Sequence, residues 1–187
     1  MTNHLDPFDP DFFRQTPVPE LPWICAHEAG HATAAIILNV PVRHAWVDPD
    51  DERDPGLVQY GGRPPHFDAV RPLLSAAGAA GEQLLLGYHH NTFCPPHLAR
   101  YHTNVQAVFD GHADARPGSD LASLLAAAPG VSRSQSLTFW IDAAAKLLRP
   151  HASQLESIAR RLAMRRFLPG SEIYQLWSRP SLTNTTR

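Results

Sequence analysis

His27 and His31 stand four residues apart, with Glu28 directly after the first of them, an H-E-x-x-H arrangement inside the run Trp23 to Leu38. In a helix four residues make about one turn, so both imidazoles project from one face and can share a metal ion. Zinc is the metal that suits two such imidazoles with a carboxylate beside them. Glu28, one position on from His27, is turned by about 100° around the axis, beside the ion and within reach of water. That is the position of a general base.

Positioning this group falls first to its own helix, expected from about Glu20 to Asn39 and ended by Asn39 and Pro41. The apolar residues after His31 anchor it in a core, and Pro22 suits its first turn, where a missing N–H costs little. Val42 to Val47 alternates and is rich in β-formers, and Gly56-Leu57-Val58-Gln59-Tyr60 has the same character, so both read as strands. The acidic stretch Asp48 to Pro55 between them reads as a solvated loop, because its carboxylates do not follow an EF-hand spacing.

From Phe67 to Gly87, the apolar residues Val70, Leu73, Leu74, Ala77, Ala80, Leu84 and Leu85 recur at helical spacing and predict a long buried helix ended by Gly87. Its small residues Ala76 to Gly81 allow a neighbouring helix to approach closely. Glu82 stands out there, since a carboxylate in so apolar a stretch either faces solvent or is held by a partner. A short helix is expected near His97 to Phe109, and Gly118-Ser119-Asp120 reads as a helix start before Leu121, Leu124 and Leu125. Two helices follow, Ser134 to Arg149 and one from about Pro150, parted at that proline. Leu168-Pro169-Gly170 reads as a turn, and Ser171 as the cap of a last short helix. Arg160, Arg161, Arg165 and Arg166 read as a solvated face compatible with the helix dipole. The fold class expected is therefore mainly α with a small β-hairpin or sheet, α+β.

Composition limits the alternatives. A chain of 187 residues that is 43% apolar suits one domain with a substantial core. We read residues 1–19, with Pro7, Pro10, Pro17 and Pro19 among aspartates, as an extended arm on which Phe8, Phe12 and Phe13 can pack onto the domain; residues 20–178 as the domain; and residues 179–187 as a tail. Prolines, 18 in all, are expected outside the helices. A net charge of −2 gives no electrostatic footprint for nucleic acid. Cys25 and Cys94 form no C-x-x-C pair and give no disulfide framework, which makes a reducing cytoplasm the expected setting. No apolar run approaches the ~20 residues that span a bilayer, and no signal peptide is evident, so no membrane partner is expected.

His27-Glu28-Ala29-Gly30-His31-Ala32 resembles the H-E-A-G-H-A signature of FtsH-type zinc peptidases, the proteolytic half of membrane-bound AAA+ proteases. Ala77 to Gly87 is similar, without a gap, to that family's G-G-R-A-A-E-E helix. Gly118-Ser119-Asp120-Leu121 resembles its G-x-x-N-D-L segment, shortened. Ala145 to Leu148, Leu155, Ala159 to Leu162 and Leu168 to Ile173 resemble its closing helices and L-x-G-x-E-I turn. The likeness runs in order over residues 20–178, with residues 88–117 as an insertion, and implies a zincin-like helical peptidase domain.

The resemblance implies Asp120 as the third zinc ligand beside His27 and His31; Glu82 and His112 are the other candidates for that role, and a helix cap is the other role for Asp120. It also implies that the strand carrying Leu57, Val58 and Gln59 holds an extended peptide by backbone pairing. Glu82 we prefer as a carboxylate that orients a ligand histidine. His89, His90, His97 and His102 read as surface or packing residues, because no pair of them has a helical ligand spacing.

The chain holds no ATPase module of the family. The function expected is a soluble, stand-alone, zinc-dependent metallopeptidase, with Glu28 as base, acting on peptides or unfolded protein. The alternatives are a zinc-binding regulatory or interaction protein that keeps the peptidase fold without efficient turnover, and a zinc hydrolase of a non-peptide amide.

Overall fold

In the computed structural model, residues 21–50, 55–87, 120–127 and 133–179 are described. The expected arm, the expected insertion with its helix at His97 to Phe109, and the residues from Pro180 onward lie outside them. The chain is mainly helical with one small antiparallel sheet.

Helix α1 (Trp23–Ile37) is the centre of the packing, and from Glu28 to Ala35 every residue is buried. A helix made of Ala, Gly and Ile on nearly all sides has no solvent face to offer, so other elements surround it. It begins one residue later than Pro22, which occupies the N-cap position and not the first turn. At its end Asn39 takes a left-handed conformation (φ 55°), and the amide of Val40 closes the last turn on the Ala35 carbonyl.

Helix α2 (Phe67–Leu86) runs antiparallel to α1, with Ala26 beside Gly81, His27 beside Glu82 and His31 beside Leu74. The backbones meet because glycine faces the partner helix at Gly30 and Gly81: a methyl group on Gly81 would lie 2.5 Å from the Ala26 carbonyl oxygen. Gly87, with φ 70°, ends α2 as its sequence predicts. Pro72 sits inside this helix, against the expectation that prolines lie outside helices. Its place in the second turn leaves only one carbonyl, that of Asp68, without its usual amide donor.

Strands β1 (Val42–Val47) and β2 (Gly56–Tyr60) form the expected hairpin. A third strand, β3 (Phe167–Pro169), pairs with the other edge of β1, giving the order β2-β1-β3. This corrects the turn expected at Leu168-Pro169-Gly170. Three residues are too few to show alternation, and a proline is tolerated there because β3 is an edge strand. Ala45 pairs with both Val58 and Leu168, and these three side chains form the buried face of the sheet.

Helix α3 (Asp120–Ala126) starts at Asp120 and buries Leu124. Helix α4 (Arg133–Leu148) and helix α5 (Ala152–Arg165) are parted by a 3₁₀ turn containing Pro150, as expected from that residue. Helix α6 (Gly170–Trp177) follows β3 directly, with Pro169 in the N-cap position and no side-chain cap, so Ser171 lies inside the helix and does not cap it. Leu148, Leu155, Ile158, Leu162, Leu168 and Ile173 are fully buried and carry this second half of the core onto α1 and the sheet. The arginine series divides accordingly. Arg166, left-handed at the end of α5, reaches back to Asp48 and Asp50 of the hairpin loop, at 3.4 and 3.1 Å.

Candidate metal centre

His27 and His31 lie one turn apart on α1 and face α2, and each ring is held by the nitrogen that points away from its neighbour. His31 donates from Nδ1 to the carbonyl oxygen of Leu74 (2.8 Å), and His27 donates from Nδ1 to Glu82 Oε1 (2.6 Å). A carbonyl can only accept, so the His31 tautomer is fixed, and the carboxylate fixes that of His27 in the same sense. In the neutral rings both Nε2 atoms are therefore acceptors, and they face each other at 3.0 Å.

Asp120 Oδ2, from the first residue of α3, lies 3.2 Å from His31 Nε2. One donor atom from each of His27, His31 and Asp120 falls within 4.8 Å of the others. Three acceptors this close together repel unless a cation lies among them, and two imidazoles with a carboxylate are a donor set that zinc accepts. The residues thus fit a metal ion.

Without a metal a proton does part of that work. Burial opposes charge on His31, but the Asp120 carboxylate, its hydrogen bond and the nearby Glu28 outweigh it and lift the imidazole to about 9 from an ordinary 6.5. Asp120 is shifted down: burial works against its charge, and the charge and hydrogen bond of His31, with help from His27 and the Ser75 hydroxyl, prevail. A group whose pKa is raised by folding stabilises the fold fully below its unfolded value and loses that contribution as pH climbs through the folded value. The metal-free protein is therefore expected to lose thermal stability as pH rises from about 6.5 to about 9. A metal ion at the same atoms replaces that proton, so the loaded protein should not share the loss, and loading near pH 8 should release about one proton. Melting curves with and without metal check this, and a metal-free protein that gains stability over this range contradicts it.

Glu28 is buried, and its carboxyl is pushed up by burial against the pull of His31 and His27, with Asp120 and Glu82 adding to the rise. A carboxylate made reluctant to stay charged is suited to accepting a proton. The start of β2 presses on it, since a methyl group on Gly56 would lie 2.9 Å from Glu28 Cγ. Among the described residues β2 pairs on one side only, and Leu57 and Gln59 point outward while Val58 is buried. The outer edge of β2, unpaired among the described residues, thus begins at the candidate base.

Glu82 lies against His27 and outside the group of three side chains that could hold a metal ion. Replacing Glu82 by glutamine removes the charge that favours donation from His27, and it should weaken metal binding by about 10- to 100-fold. Competition with a chelator measures this. His112, His89, His90, His97 and His102 lie outside the described residues.

Three contributors were not singled out from the sequence: the Leu74 carbonyl, the Ser75 hydroxyl and Tyr60. Burial, and then the charges of Asp120 and Glu28, push the Tyr60 phenol upward, which makes it a neutral neighbour of the same cluster. Leu74, Gly78 and Glu82 recur every four residues along α2, and that stripe facing the histidines is the one signal that pointed to this face. The chain matches no protein-family model, and no curated protein matches it in sequence.

Proposed function

We propose that this protein is a zinc-dependent metallopeptidase of zincin-like, FtsH-type character that cuts peptides or already unfolded protein. The observation that carries the proposal is Glu28: a buried carboxylate beside three side chains that could hold a metal ion, and against the first residue of a strand edge that is unpaired among the described residues. A site that merely held a metal for stability would have no use for such a base.

His27, His31 and Asp120 would hold the zinc, which when bound supplies a Lewis acid to polarise the scissile carbonyl and ease deprotonation of water. An extended peptide pairs with the outer edge of β2, between Leu57 and Gln59, which brings its backbone past Glu28. Glu28 takes one proton from the attacking water as the new C–O bond forms. It then gives that proton to the amide nitrogen as the C–N bond breaks, so the products are a carboxylic acid and an amine. Glu82 and the Leu74 carbonyl keep the two imidazoles aimed throughout.

Incubation of the zinc-loaded protein with carboxymethylated casein tests the proposal. New amino termini, lost on adding a chelator and restored by zinc, are the expected result. Bound zinc with no cleavage of any unfolded chain contradicts it and favours an interaction protein that keeps the fold.

A further inference from the structure

A second site lies on the far side of the sheet from β2, between the end of α5 and helix α6. A cavity of about 370 Å³ is lined there by Arg161, Arg165, Arg179, Ser171, Glu172 and Gln175, together with the apolar Pro169 and Leu176. None of these residues belongs to the elements of the metal centre.

The charges do not balance. Arg160 is matched by Glu156 (2.7 Å) and Arg166 by Asp48 and Asp50, and neither of these arginines lines the cavity. Inside it, Arg161 and Arg165 share the single carboxylate of Glu172, at 3.4 and 3.9 Å. Arg179 has no carboxylate partner among the described residues. Among the described residues, three guanidinium groups stand against one carboxylate, which leaves two positive charges.

We propose that this cavity binds a phosphate group. A phosphate monoester near neutral pH carries close to two negative charges and three equatorial acceptor oxygens, which matches both the excess charge and the three planar donor forks. A carboxylate would cancel half of that charge and engage fewer forks. Ser171 and Gln175 add neutral donors at the rim. The volume sits at the lower end of small-molecule sites, about 300 to 1,000 Å³, and leaves room for a small organic portion over Pro169 and Leu176.

Calorimetric titration of the full chain with inorganic phosphate, glycerol phosphate and acetate, at fixed ionic strength in chloride, tests the assignment. Saturable binding of both phosphates at one site is expected, with acetate at least about tenfold weaker. Glycerol phosphate binding more tightly than inorganic phosphate identifies an ester as the ligand, and the reverse order identifies the free ion. Arg179→Ala should weaken phosphate binding by at least about tenfold, whereas Arg160→Ala, outside the cavity, should leave it within about twofold. Acetate binding as well as phosphate, no saturation, or equal effects of the two substitutions overturns the proposal.

Discussion

Replacing Glu28 by glutamine is expected to lower peptide hydrolysis by about 10²- to 10⁴-fold, the range by which a positioned general base contributes. Glutamine has the same shape and fits the same buried position, but it cannot take a proton from water. Metal binding should survive, because Glu28 is not among the three convergent donors. It should even rise slightly in ease of folding, since a buried carboxyl pushed upward by burial is exchanged for a neutral amide. The pair of measurements, turnover and metal content on the same preparation, separates the base from the ligands. Unchanged turnover would remove Glu28 from the chemistry.

Substituting Gly78 by alanine should abolish the metal site by a different route. A methyl group at Gly78 would overlap the His27 ring, lying 2.6 Å from Cδ2, and any retreat of the ring breaks its 2.6 Å bond to Glu82. In a free helix, glycine to alanine gains up to about 1 kcal/mol. Here the overlap opposes that gain, and expelling His27 strands the Glu82 carboxylate in a buried place at a cost of about 1 to 3 kcal/mol. The expected result is a loss of zinc affinity of at least about 100-fold together with a lower melting temperature. Full zinc binding with raised stability would show that His27 does not need its observed position.

These two substitutions also mark how far the sequence could be read. The helix-face argument for His27 and His31 depends only on spacing, and spacing survives folding unchanged. Glu82 was visible as an oddity, a carboxylate among alanines and leucines, which is why a partner could be expected for it. Gly78 was visible only as one small residue in a stripe of six, because its purpose depends on which ring α1 places opposite it. Asp120 rests on a resemblance and not on periodicity, since nothing local distinguishes a ligand aspartate from a helix cap.

What escaped has common physical causes. β3 is three residues long and ends in proline, so its strand character comes from the exposed hydrogen-bonding edge of β1 and not from its own residues. The Leu74 carbonyl carries no side-chain signature at all, and Ser75 gains its role only when α3 brings Asp120 to it. The arginines of α5 read as one solvated face, yet helix termination at Arg166 and the arrival of α6 split them into paired residues and a cavity wall.

X-ray absorption at the zinc edge on the reconstituted chain tests the central claim most directly, that His27, His31 and Asp120 hold one zinc ion. The expected result is about one equivalent of zinc, with two imidazole nitrogens and a carboxylate oxygen at about 2.0–2.2 Å and the oxygen contribution altered in Asp120→Ala. A chain that takes up no stoichiometric zinc, or a spectrum unchanged by that substitution, would contradict it.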